Sequence, residues 1–400
     1  MPSSPSTPRR VFLRQSAALA GGLMLLRGGA LAAAAGAPRL LLVFLRGGYD
    51  CASLLVPRGD FYRESRPNIA IACDGSAGAA LPLDGDWSLH PALEGSLLPL
   101  WRGGQLAFVP FSGTPDLSRS HFETQDAIER GDAPGTPPRN DSGFLGRLVA
   151  ELRDPTAISF TDQLPLVLRG AGGVPNVVLR GLAKPVLDGR QESLIAAMYR
   201  GTPYYDAVTE GFTARDEAGR ELAVEMEEAG RKAANARGFE QEARRIARLM
   251  RDRHRIGFVD VGGWDTHVEQ GAAKGALAAR FGQLGAGLAG FVDEIGPAWN
   301  DTVVVVVSEF GRTFRENGNR GTDHGHGSVL WVLGGAIRGG QVRGEQLPVQ
   351  RATLFQDRDY PVLNDYRDTL AGLFARAYGL DAAALGRVLP GAVPADRGLL

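Results

Sequence analysis

"RLLLVFLRGGYD", residues 39–50, and "TVVVVVSEFGRT", residues 302–313, decide the fold class. Each opens with an apolar run that never alternates with polar residues, then breaks into glycine, charge and turn formers. A strand covered on both faces reads this way, whereas a strand with one wet face alternates. "QLAFVPF" (105–111), "IGFVDV" (256–261) and "SVLWVLGGA" (328–336) have the same character. Helical periodicity lies between them. Leu277, Phe281, Leu284, Leu288, Phe291 and Ile295 fall at alternating spacings of four and three, which makes one apolar stripe. A second such helix covers roughly 365–378, with Asn364 or Asp365 placed to cap it. Strands alternating with helices of this length predict an α/β fold: a mainly parallel central sheet with helices on both faces.

The N-terminus bears on location. "PRRVFLRQSAALAGGLMLLRGGALAAAAGA" places Arg9 and Arg10 before Val11, Phe12 and Leu13, then a weakly apolar stretch ending in small residues. This is the layout of a twin-arginine export signal, with cleavage expected between Ala32 and Ala37. The stretch is interrupted by Arg27 and two glycine pairs and is short for a bilayer span; an uncleaved anchor is the alternative. The expected organisation is a signal over 1–37 and one α/β metal-site domain over 38–400, periplasmic or extracellular, with no stable membrane span after cleavage. The twin-arginine route carries folded proteins, which fits a metal loaded before export.

Two cysteines, Cys51 and Cys73, make no disulfide scaffold; an oxidising compartment would allow one bridge, and sequence leaves that pairing open. A net charge of −1 with no basic tract outside the signal gives nucleic-acid binding no support. Residues 203–255 are dense in charge and helical, an insertion or cap on the domain. They read as a solvated helical pair packed on the sheet or as a docking surface for a protein partner. Residues 131–143 are a surface loop by composition.

In an open parallel sheet, ligands bind beyond the carboxyl ends of the strands. After "RLLLVFL" the chain delivers Asp50; after "IGFVDV", Asp265 and His267; after "TVVVVV", Glu309 and then "DHGHG" with Asp323, His324 and His326. Carboxylates mixed with imidazoles suit zinc, manganese or iron better than calcium. Side chains at i and i+2 of an extended segment share a side, so Asp265/His267 and His324/His326 read as paired donors. Gly325 and Gly327 let that loop approach an ion. The bland reading of each residue alone is a turn former or a satisfied histidine.

"PDLSRSHFETQDAIERG", residues 115–131, is the second candidate region. Ser120, or Ser118, is placed to cap a helix starting near His121, with Glu123 completing a capping box. The alternative for Ser120 is a metal-activated nucleophile or an oxyanion donor at a helix N-terminus. Arg119 and Arg312 are either surface arginines or a bidentate grip on phosphate or sulfate.

These segments, with "LHPALEGSLLPLWRGGQLAFVP", "DVGGWDTH" and "SEFGRTFRENGNRGTDHGHG", resemble the exported bacterial proteins of the domain-of-unknown-function 1501 family, in order over about 39–380. That family is grouped with the alkaline phosphatase and sulfatase superfamily. The resemblance implies an alkaline-phosphatase-like α/β sandwich, a centre of one or two divalent ions held by Asp and His at strand ends, and a hydroxyl nucleophile at a helix start. By position, Asp50 looks like the first-strand ligand, Asp265 with His267 the next pair, Glu309 the carboxylate after a later strand, and His324 or His326 the remaining imidazole. Phe310 stands where the superfamily pattern has a histidine, no segment is an unmistakable nucleophile motif, and His90 reads as structural. The expected function is hydrolysis of a small-molecule or polymer-borne phosphate or sulfate ester. The alternative is a non-catalytic binding or maturation protein that keeps the fold.

Overall fold

The computed structural model describes residues 37–152, 156–178, 189–213 and 238–400; the expected export signal and residues 214–237 of the charged segment lie outside the described residues. Arg39–Leu400 form one unit by their internal contacts. The five apolar runs are strands: β1 (Arg39–Leu45), β2 (Leu106–Gly113), β4 (Ile256–Val261), β5 (Thr302–Ser308) and β6 (Ser328–Gly334). A short β3 (Ala157–Phe160) and the two-residue β7 (Gln341–Val342) and β8 (Asn364–Asp365) complete an eight-stranded sheet of order β7-β2-β6-β5-β1-β4-β3, with β8 also on β2.

β1, β3, β4 and β5 pair in parallel, while β6 is antiparallel to both β5 and β2. The strand directions therefore agree everywhere except at β6. That reversal follows from how the chain enters it: residues 309–327 stay at the carboxyl edge of the sheet, and β6 starts there and runs back. Leu45 sits level with Val261 and with Ser308, so the chain leaves β1, β4 and β5 at one height.

Alternate residues of each central strand feed two cores. Leu41, Val43 and Leu45 pack with Leu277, Phe281, Leu284, Leu288 and Phe291 of helix α3 (Ala276–Ile295). Leu40, Leu42 and Phe44 face Leu370 and Phe374 of α4 (Tyr366–Tyr378). Both faces are thus dry, which is why the strand sequences do not alternate. Of the two caps offered by sequence, Asp365 takes α4, accepting from the Arg367 N–H. The described end of the charged segment, α2 (Phe239–Asp252), lies on α3 through Ala243, Ile246 and Met250 and an Arg248–Glu294 ion pair of 2.9 Å. That part is a packed outer layer. Cys51 and Cys73 are unpaired, and among the described residues no helix is long and apolar enough to cross a membrane.

One glycine sets how closely two of the strand exits can approach. Gly47, just past β1, has φ +121°, and a Cβ there would lie 2.6 Å from the Asp265 backbone nitrogen. Only glycine lets the β1 exit loop touch the β4 exit loop.

Candidate metal centre

The β4 exit loop delivers Asp265 and His267, and the loop before β6 delivers His324. A fourth residue comes from the loop after β2: His121, the first residue of α1 (His121–Arg130). One donor atom each of His121, Asp265 and His324 lies within 4.8 Å of the other two. His267 Nε2 joins them at 2.9 Å from Asp265 Oδ1 and 3.1 Å from His324 Nε2. His324 Nε2 is 3.2 Å from Asp265 Oδ1, and His121 Nε2 is 3.5 Å from Asp265 Oδ2. With metal–nitrogen bonds of about 2.0–2.1 Å, the edges of a zinc tetrahedron are ~3.3 Å. The spacings among Asp265 Oδ1, His267 Nε2 and His324 Nε2 lie near that figure, and His121 stands against the second Asp265 oxygen.

The far side of each ring decides its tautomer. His121 Nδ1 meets Glu309 Oε1 at 2.8 Å, His267 Nδ1 meets Asp323 Oδ1 at 3.1 Å, and His324 Nδ1 meets the Arg119 carbonyl at 3.0 Å. Each partner is an acceptor, so each Nδ1 carries the proton and each Nε2 presents a lone pair. Three lone pairs and a carboxylate then face one another, and Arg312 Nη1, 2.8 Å from Asp265 Oδ1, answers only one of them. His121 Nε2 is buried with no hydrogen-bond partner. Donors gathered this way repel unless a cation lies among them, and rings held from behind by carboxylate or carbonyl are the usual second layer of a metal site. The residues fit a divalent ion.

The charges are tuned to match. Glu309 raises the His121 pKa against the opposing effect of burial, while burial lowers that of His324. Burial alone would raise Asp265, but Arg312 outweighs it and holds the carboxylate ionised below its ordinary range. Asp265 and His267 are the exposed side of the cluster, at 43% and 38% of their side-chain surface, so solvent reaches it there.

Several sequence expectations are corrected. Glu309 is not aimed at the cluster: Oε1 accepts from His121, Gln125 and the Gly47 N–H at 2.8 Å each, and Oε2 takes the Ser308 hydroxyl at 2.9 Å. Asp323 serves His267 and Asn317. Asp50 is fully buried and filled by Arg66, Ser53 and Gln270. His326 is turned away, its ring tilted against Phe355 at 5.1 Å and bonded to the Asp116 backbone, because the chain bends after His324 and the i, i+2 rule needs an extended segment. Gly325 lies against the Arg312 backbone at that bend, where a Cβ would approach to 2.4 Å.

Arg119 holds the buried Asp359 at 2.7 Å instead of facing the cluster. Its own backbone is left-handed, φ 51°, a strained conformation that aims its carbonyl at His324. Ser120 is the residue before α1, yet its side chain makes no cap bond, so capping is not its role. His90 is structural: it accepts from the Ala92 N–H and donates to the Ala272 carbonyl, and burial lowers its pKa to about 4.

His121 escapes a reading by sequence because its segment has the pattern of a helix start. The signal is nonetheless present, since "QLAFVPF" is a strand whose carboxyl end also opens toward the site. Phe310 packs beside the rings of His121 and His324, at 4.9 and 5.0 Å, and so fills space next to the imidazole that arrives from α1.

The hold of Glu309 on His121 is testable. Glu309→Gln should weaken zinc binding about 10–100-fold, by chelator competition, with the far-ultraviolet circular dichroism unchanged.

The family model described as "Protein of unknown function (DUF1501)" matches residues 109–390. The chain belongs to the DUF1501 family. Among solved structures, it is similar to a protein in the alkaline phosphatase superfamily from Vibrio parahaemolyticus, at 14% identity and TM-score 0.40, over 88% of this chain and 70% of that one. It is also similar to Ps i-CgsB, determined in complex with k-i-k-neocarrahexaose, at 10% identity and TM-score 0.37, over 89% and 75%. No curated protein matches the sequence.

Proposed function

We propose that this DUF1501 chain is an exported, metal-dependent hydrolase of a phosphate or sulfate ester. The observation that carries the reading is the convergence of the Nε2 atoms of His121, His267 and His324 on Asp265, each ring tied off behind. A divalent ion bound there, zinc or manganese before iron by its mixed nitrogen and oxygen donors, polarises an ester oxygen and lowers the pKa of a hydroxyl or water.

The remaining roles fall to the chain. Arg312 is buried, and its Nε and Nη2 have no partner while Nη1 holds Asp265. That unpaired guanidinium edge, sealed from solvent beside Asp265, suits the oxygens of a transferring phosphoryl or sulfuryl group. Ser120 stands one residue before His121 at the N-terminus of α1, its hydroxyl free of capping duty. There it is the best-placed nucleophile, with the exposed Asp265–His267 side as the entry for a small-molecule or polymer-borne ester. Export by the twin-arginine route rests on Arg9–Leu13 and belongs to the same proposal.

The experiment is to strip the protein with a chelator and assay aryl phosphates and aryl sulfates before and after adding zinc or manganese. Turnover is expected only with metal, and Ser120→Ala should lower kcat on the order of 10³-fold or more. If no metal-loaded form turns over any ester, the non-catalytic binding or maturation reading replaces this one.

A further inference from the structure

The resemblance drawn from sequence leaves one or two ions open and implies Asp50 as the first-strand ligand, a carboxylate to be paired with a cation. Arg66 occupies that role. Its Nη1 and Nη2 grip the two Asp50 oxygens at 2.6 and 2.9 Å. Asp50 Oδ2 also accepts from the Ser53 hydroxyl at 2.6 Å and from Gln270 Nε2 at 2.7 Å. Three of these four bonds fall on Oδ2 and one on Oδ1, so both oxygens already face a donor in a dry interior. The guanidinium is spoken for as well: Nε donates to the Phe314 carbonyl at 2.6 Å and Nη2 to the Thr313 carbonyl at 3.3 Å, and its face lies over Tyr62 and Phe314. Both side chains are essentially inaccessible, at 0% and 1% exposure. A metal could reach Asp50 only by expelling a fully bonded buried arginine.

We infer that the chain binds a single metal ion, at His121, Asp265, His267 and His324, and that Arg66, not a metal, is the cation paired with Asp50. The inference rests on the metal-dependent reading proposed for the cluster. Asp50 then becomes a positioning residue, and the route of its influence is visible. Gln270, fully buried, donates to Asp50 and accepts from the Thr266 hydroxyl at 3.2 Å and the Thr322 hydroxyl at 3.0 Å. Thr266 lies between Asp265 and His267, and Thr322 lies two residues before His324. The Asp50–Arg66 pair thus holds, through one amide, two of the three segments that carry ligands. Arg66 also anchors the carbonyls of residues 313 and 314, directly after Arg312.

The test is a zinc titration of the chelator-stripped full chain against a chromogenic chelator, with the Asp50→Asn and Gln270→Met variants alongside. One equivalent is expected for the wild type and for Asp50→Asn. Gln270→Met should still bind one equivalent, but about 10–100-fold more weakly, with the circular dichroism of the metal-free protein unchanged. Two equivalents in the wild type overturn the inference, and the wild-type count needs no variant to fold. Zinc affinity unaltered in Gln270→Met overturns the positioning role. No zinc bound by the wild type overturns the metal centre itself, an outcome distinct from a count of two.

Discussion

Replacing His324 with alanine is expected to abolish metal binding, whereas replacing His326, two residues away, is expected to leave it intact. His324 Nε2 faces Asp265 and His267, and its Nδ1 is held by the Arg119 carbonyl. His326 packs on Phe355 instead. Partners behind a ligand are already worth about 10–100-fold in affinity, so loss of the ligand itself should cost ~10³-fold or more. His121→Ala should behave like His324→Ala, since its Nε2 is the buried orphan of the cluster. Thermal unfolding checks both. At a zinc concentration near a thousand times the dissociation constant, the wild type and His326→Ala gain about 4 kcal/mol from binding. His324→Ala and His121→Ala should gain no more than about 0.4 kcal/mol. A variant at 324 that keeps the zinc-dependent shift would remove the site.

Arg66→Met should be the most destabilising single change in this region. It removes one partner of a buried ion pair and leaves Asp50 charged in a dry interior, a situation that costs about 3–5 kcal/mol. The pH dependence has a definite sign. In the wild type, burial would raise the Asp50 pKa, but Arg66 and the hydrogen bonds outweigh it and hold it below the usual carboxylate value. Its contribution is therefore present at neutral pH and is lost only as pH falls through that depressed folded value. In Arg66→Met the balance reverses, burial dominates, and the folded pKa lies above the unfolded one. That contribution is present below the unfolded pKa and lost as pH rises. The gap between variant and wild type, measured by urea unfolding, should therefore be wide at neutral pH and narrow toward about pH 4. A gap independent of pH would show that the loss comes from packing over Tyr62 and Phe314 rather than from charge.

What sequence determined here is what short-range chemistry determines. Unbroken aliphatic runs of strand length mark strands buried on both sides, and the stripe from Leu277 to Ile295 can only be a helix lying on them. Given a mainly parallel sheet, the carboxyl ends share an edge, so Asp265, His267 and His324 are legible as neighbours from sequence. Which atoms of those neighbours meet was not legible, because it depends on contacts between residues far apart in the chain. Asp50 and Glu309 follow strands just as Asp265 does, yet each is claimed by a cation or a ring that arrives from another loop: Arg66 for one, His121 for the other. His324 and His326 are alike in sequence, and only the bend after His324, made as β6 turns back antiparallel, aims one at the site and the other at Phe355. A side chain's type is local, but the partner it finds in a buried site is set by the packing of every loop around it. Tertiary structure alone sorted these candidates into ligands, the groups that orient them, and an ion pair sealed behind them.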